Sequence, residues 1–294
     1  MKILAIDIGG TSIKTGLCDE HGHFEMMKEY ETLVRNGEGN VVEKLLKIIS
    51  EFHNIDAIGI STAGQVNSEQ GYIYASENIP DLTGKRLKEI VEKKFHVPVK
   101  LENDVNAAAL GEKYFGAGRD LSDFLCLTYG TGVGGAIVLE SKLYKGHKGI
   151  AAEFGHMITH PLGHKCGCGR LGCYETYAST TALVNRAKEI NKDYLNGKNI
   201  FAPANQDDPI LEKAIQDWIF EVALGLTSLI HIFDPPTIII GGGVMEQEKL
   251  VNRVSMKVKE LILESYSDVS IIKASLGNKA GIYGAASLHL KSRN

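Results

Sequence analysis

The sequence predicts an α/β fold of two related domains, and three observations carry that expectation. At 294 residues the chain exceeds the usual span of one domain and is long enough to bury two cores. Short apolar runs of strand character alternate with longer segments of helical apolar spacing. One local plan occurs twice, at residues 3–17 and 124–139: an apolar strand, a glycine turn and a returning strand.

Composition narrows the class. A formal charge of -4 without a long basic run argues against a nucleic-acid partner, because phosphate-tracking surfaces need clustered Lys and Arg. No apolar run is read as approaching the ~18 to 20 residues of a membrane span, so no membrane partner is expected. Met1-Lys2 leads straight into an apolar run ended by Asp7, too short for a signal peptide, and a cytoplasmic protein is expected.

The first hairpin pairs residues 3–6 with 12–17 around Asp7-Ile8-Gly9-Gly10-Thr11. Adjacent glycines let backbone N–H groups approach a phosphate, Thr11 adds a hydroxyl, and Asp7 suits Mg²⁺ directly or through water; an ordinary turn is the competing reading. A helix is predicted over 41–52, a strand over 57–61 ending in the turn Thr62-Ala63-Gly64-Gln65, and a polar loop at Asn78-Ile79-Pro80. A helix over 87–95 and a strand over 97–101 follow. Glu102-Asn103-Asp104 then opens a helix over 105–113, with Asp104 at its N-cap. A carboxylate at a strand end beside an Asn is also how an enzyme holds a hydroxyl in line with a phosphoryl donor.

In the second hairpin, Gly130, Gly132 and Gly135 match the dinucleotide pattern GxGxxG. The match is read as spurious because the segment runs into a strand over 136–139 rather than a helix. Helices are predicted over 180–190 and 210–233, and a buried strand over 237–240 ends in the glycine turn Gly241-Gly242-Gly243 before a helix. That turn suits either nucleotide contact or close packing. A strand over 269–274 and a small-residue helix from Gly281 complete the chain. The domains are set at 1–118 and 119–280, with a C-terminal helix over 281–294 returning to the first.

Three of the five cysteines, Cys166, Cys168 and Cys173, fall within eight residues among glycines, ten residues after His156. Three thiolates and an imidazole suit a closed tetrahedral Zn²⁺ site. His160 and His164 compete with His156 as the fourth ligand. A redox group, or cysteines that merely gather in a glycine-rich loop, are the other readings; Cys18 and Cys126 lie in apolar strand-like runs, which disfavours a disulfide framework.

The stretches AIDIGGTSIK, LENDVNAAALGE, TYGTGVGGAIV, EFGH followed by CGCGRLGCYE, and IIIGGGV together resemble the family named for repressors, open-reading-frame proteins and sugar kinases, the ROK family. The resemblance implies an actin-like ATPase, ribonuclease H-like fold with an interdomain cleft, a homodimer, and ATP-dependent phosphorylation of a sugar hydroxyl. It implies Asp104 as catalytic base, and sugar contacts from Gly64, Asn78, Asn103, Glu153, His156 and Glu175. ATP and Mg²⁺ contacts fall to Asp7, Ile8, Gly9, Gly10, Thr11, Lys14, Thr131, Gly132, Gly241, Gly242 and Gly243, with His156, Cys166, Cys168 and Cys173 holding structural Zn²⁺.

Two positions depart from glucose-specific relatives: Leu82 stands where they often carry a tryptophan, and Ala152 where they carry a glycine. Glu153 resembles the glucose-type pocket, and a missing indole leaves room for a substituent, so the expected acceptor is the sixth hydroxyl of free glucose or of a β-glucoside such as cellobiose, with N-acetylmannosamine or fructose as alternatives. A sugar-sensing repressor is the rival class. Such relatives carry an added N-terminal helix-turn-helix, for which a phosphate turn already at Asp7 is expected to leave no room.

Overall fold

A computed structural model describes residues 1–32, 40–202, 205 and 208–290. The chain forms two compact units, one of Met1–Arg119, Leu143–Ala151 and Asn278–Asn294, the other of Asp120–Lys142 and Ala152–Gly277.

The first unit is built on β1 (Ile3–Ile8), β2 (Ser12–Cys18), β3 (Phe24–Glu31), α1 (Val41–Ser50), β4 (Ala57–Thr62), β5 (Gln65–Asn67), β6 (Tyr72–Ala75), α2 (Leu87–Phe95), β7 (Val99–Asn103) and α3 (Asp104–Phe115). Its sheet has the order β3-β2-β1-β4-β7, with β1 antiparallel to β2 and parallel to β4. Strand β1 is buried on both faces, and its alternation sorts the side chains. Leu4, Ile6 and Ile8 join one core with α1 and α2, while Ile3 and Ala5 face another. Asp7 therefore lies on the Ile3–Ala5 side.

The predicted helix start needs one correction. Asn103, not Asp104, is the N-cap of α3: its side-chain oxygen accepts from the N–H groups of Val105 and Asn106, and Asp104 is the first helical residue. Asn103 keeps extended backbone geometry as the last residue of β7, which is the conformation an N-cap requires. Strand β7 also begins two residues later than expected, after Pro98. Strands β3, β5 and β6 were not anticipated; β3 is an edge strand exposed along most of its length, so it shows no apolar alternation.

The second unit repeats the plan with β8 (Phe124–Tyr129), β9 (Val133–Leu139), β10 (Lys142–Leu143), α4 (Glu175–Ala178), α5 (Thr180–Ile190), α6 (Gly197–Ile200), α7 (Pro209–Phe233), β11 (Thr237–Gly241), α8 (Glu248–Leu261) and β12 (Ser270–Lys273). The order β10-β9-β8-β11-β12 matches the first sheet strand for strand, again with one antiparallel hairpin and parallel partners beyond it. Strand β9 begins at Val133, earlier than expected, and no helix follows the GxGxxG match. The turn after β11 enters a single 3₁₀ turn before α8.

Helix α7 corrects the expectation about apolar runs, since by length and composition it is long and apolar enough to cross a bilayer. Its apolar stripe is spent on the core of the second unit, where Trp218, Val222, Leu226 and Ile230 are buried. Trp218 is anchored there by donating its indole N–H to Ser179 O at 3.0 Å.

The last helix, α9 (Ala280–Ser287), packs against α3, β1 and β4 of the first unit. Small residues make this possible. A Cβ at Gly59 would sit 1.9 Å from Ala285 O and one at Gly284 would sit 1.8 Å from Ala107 O, so backbone meets backbone directly. Residues 291–294 of the expected helix lie outside the described residues.

Candidate active site and metal centre

In the first unit, Asn103 is the node of a small polar cluster. Its Oδ1 caps α3, and its Nδ2 donates to Gly64 O at 2.8 Å and to Asp104 Oδ1 at 2.9 Å. Gly64, Asn103 and Asp104 are thereby held together at the C-terminal ends of β4 and β7, where open parallel sheets place their ligands. Asp104 is half-buried at this position. Burial, and then the nearby Asp7 carboxylate, push its pKa up to about 7, against the N–H of Val105 and the Asn103 amide, which favour the ionised form.

Asp7 stands on β1 opposite Ser61 in the parallel register, and the Ser61 hydroxyl donates to Asp7 Oδ1 at 2.8 Å. Burial raises the Asp7 pKa, opposed by that hydrogen bond and by Lys14. Ser61 was missed from sequence; a serine at the end of the apolar run AIGIS is its only signal. The turn Gly9-Gly10-Thr11 is closed by Gly9 N–H on Ser12 O, and Asn78 packs 3.4 Å from where a Gly10 Cβ would lie. Lys14 Nζ donates to Asn278 O at 2.9 Å, so its ammonium is tied to the backbone ahead of α9. An aspartate beside glycine N–H groups and a threonine hydroxyl is suitable donor chemistry for Mg²⁺ and phosphate. Leu82 is fully buried in the core with α1 and α2.

In the second unit, the ligand atoms of His156, Cys166, Cys168 and Cys173 lie within 4.8 Å of one another. Cys166 Sγ is 3.9 Å from His156 Nδ1, and Cys168 Sγ is 3.6 Å from Cys173 Sγ. Two thiolates each about 2.3 Å from a tetrahedral Zn²⁺ sit about 3.8 Å apart, so the donor set fits that ion. The structure chooses among the three histidines. His160 stacks on Tyr177 and pairs with Glu221 at 3.5 Å, and His164 also packs on Tyr177.

Glu153 and Glu175 flank the cluster. Glu153 Oε2 is 4.0 Å from His156 Nε2, and Glu175 Oε1 is 3.6 Å from His156 Nδ1. The other Glu175 oxygen accepts from Val133 N–H at 3.4 Å and occupies the space a Gly132 Cβ would need, 2.3 Å away. Glu175 thus joins the cysteine loop to the second glycine hairpin, which carries Thr131. Gly242 adopts φ 105° with no room for a Cβ beside Tyr129 O, which seats the turn Gly241-Gly242-Gly243 against the end of β8. Ala152, next to Glu153, holds φ 68°, the left-handed region that glycine tolerates at no steric cost.

The chain is similar to a glucokinase from Streptomyces coelicolor, 37% identical over 309 residues covering 97% of this chain and 96% of the relative. It is also similar to a beta-glucoside kinase from Listeria innocua, 35% identical over 299 residues covering 100% and 99%. Among solved structures it resembles a ROK family glucokinase from Streptomyces griseus in complex with glucose and AMPPNP, with TM-score 0.86 and 35% identity over 98% of this chain and 99% of that one. With the ROK family model matching residues 3–292, the chain belongs to the ROK family.

Proposed function

We propose that the protein is an ATP-dependent sugar kinase that transfers the γ-phosphoryl group to the sixth hydroxyl of a glucose-type sugar, either free glucose or a β-glucoside such as cellobiose. The observation that carries this reading is Asp104, a carboxylate fixed by Asn103 at the first residue of α3 and poised to exchange a proton near pH 7. In that role it orients the acceptor hydroxyl and takes its proton as the phosphoryl group arrives. The similarity to glucokinases and a beta-glucoside kinase supports the acceptor class.

In the first unit, Asn103, Gly64 and Asn78 contact the sugar in this reading, while Asp7, Ile8, Gly9, Gly10, Thr11 and Lys14 serve the nucleotide and its metal. In the second, Glu153, His156 and Glu175 contact the sugar, and Thr131, Gly132 and Gly241 to Gly243 serve ATP. Bound Mg²⁺ supplies neutralisation of phosphate charge. His156 serves two purposes, with Nδ1 toward the thiolates and Nε2 toward the sugar side beside Glu153. Zn²⁺ held by Cys166, Cys168, Cys173 and His156 is structural, because protein fills all four of its positions.

An ADP-release assay comparing glucose, cellobiose, N-acetylmannosamine and fructose at one ATP concentration tests this reading. The expected result is sugar-dependent ADP release with a glucose-type acceptor, reduced about 100-fold or more in Asp104→Ala with sugar binding retained. Absence of sugar-dependent release across the panel overturns the kinase reading. A clear preference for N-acetylmannosamine or fructose overturns the acceptor assignment alone.

A further inference from the structure

The first unit contains a buried carboxylate to which the proposed chemistry gives no part. Glu102, the penultimate residue of β7, has a side chain only 1% exposed. An ionised carboxylate persists in such surroundings only when it is both paired and hydrogen-bonded. Glu102 is both, and its two oxygens divide the work. Oε2 accepts from Lys145 Nζ at 2.7 Å. Oε1 accepts from the backbone N–H of Asn103 at 3.0 Å and from Asn106 Nδ2 at 3.1 Å.

Asn103 is the N-cap of α3 and Asn106 lies in its first turn, so one carboxylate oxygen holds the entry of the helix whose first residue is Asp104. Asn103 in turn donates to Asp104 Oδ1. The positive partner comes from distant sequence. Lys145 belongs to the segment Leu143–Ala151, which lies in the first unit although both its flanks belong to the second. Its ammonium also donates to Ser68 Oγ at 2.6 Å, just beyond β5, and the Lys145 side chain is 35% exposed.

We propose that Lys145, through its ion pair with Glu102, is a positioning residue for Asn103 and Asp104, holding the acceptor side of the kinase site from 43 residues away along the chain. The proposal rests on the reading of Asp104 as the base. Removing the ammonium strands a buried negative charge at the helix entry. The entry then relaxes toward solvent, and Asn103 and Asp104 shift with it. Misplacement of reacting groups by about 1 Å costs roughly 100-fold in turnover.

The test is a double-mutant cycle of Lys145→Met, Glu102→Gln and the double variant, with Asp104→Ala alongside. Each protein is assayed for kcat, for KM of the sugar and of ATP, and for folded content by circular dichroism. Lys145→Met is expected to lose about 100-fold in kcat per folded molecule and to raise the sugar KM, with the ATP KM unchanged. The double variant is expected to recover most of that loss. Its amide oxygen still accepts from Asn103 and Asn106, and no charge is left stranded.

A purely structural role would lower folded content while leaving kcat and sugar KM per folded molecule at parental values, and that result overturns the proposal. A double variant whose loss is the product of the two single-variant losses, showing no coupling, overturns it as well. If Lys145→Met does not fold, the comparison of Glu102→Gln with the double variant decides: a double variant much less active than Glu102→Gln shows that Lys145 acts without the carboxylate and counts against the ion pair. Normal turnover in Asp104→Ala removes the premise and the proposal together. An inactive Asp104→Ala beside a fully active Lys145→Met removes the proposal alone.

Discussion

Asp104 shows how much a single side chain's chemistry depends on its surroundings. Its place in the motif LENDVNAAALGE was legible in sequence, but its pKa of about 7 arises from burial and from Asp7, a partner 97 residues earlier. If Asp104 is the base, kcat/KM for the sugar falls about ten-fold per pH unit below about 7, because the ionised form is the active one. The same shift acts on stability with a definite sign. The folded pKa lies above the ordinary 3.8, so the folded chain binds the proton more tightly than the unfolded chain. The destabilisation is absent below 3.8, grows as pH rises toward about 7 and is complete above it. Asp104→Asn is therefore expected to raise the melting temperature more in alkaline buffer than at pH about 4, while losing turnover; an equal gain at both pH values would show that burial is not the cause. Ala152 gives a second prediction at this scale. Its left-handed backbone explains why a glycine suits that position, and Ala152→Gly is expected to stabilise the fold by about 1 kcal/mol in urea denaturation.

Among the elements, the cysteine loop was the most legible, since ligand spacing is a local property. The choice among His156, His160 and His164 was not, because it depends on which ring the fold brings to the thiols and which it stacks on Tyr177. The loop's second attachment, Glu175 to the Gly132–Val133 turn, was also hidden. Chelation is expected to lower the melting temperature and to weaken sugar binding measured by calorimetry, both restored by added Zn²⁺, because an ion bound only to the folded chain stabilises it by about 2.7 kcal/mol at a hundred times its Kd. Sugar affinity unchanged after chelation would return the loop to a scaffold role only. Helix α9 was readable as a run of small residues. The reason for their smallness, backbone contact with Gly59 of β4 and Ala107 of α3, lies far away in sequence.

For the whole molecule, the repeated strand, glycine turn and strand pointed to duplication, and the two sheets carry the same strand order. Edge strand β3 escaped notice because an exposed strand leaves no apolar alternation to read. We propose that the chain works as a homodimer, as the family resemblance implies. Sedimentation velocity is expected to show a species at twice the 32.0 kDa chain mass, and a single species at the chain mass would refute the dimer.

The sequence by itself determined what is local: the two glycine hairpins, the cysteine spacing, the Asn103-Asp104 pair at the head of α3, and the family to which these motifs point. Tertiary structure decided what depends on partners far apart in the chain. It made Asn103 rather than Asp104 the helix cap, selected His156 for the thiol cluster, set Asp7 against Ser61 and placed Lys145 on Glu102. The physical reason is range. Turn geometry and ligand spacing are written in neighbouring residues, whereas burial, charge pairing and close backbone packing depend on residues that meet only when the chain folds.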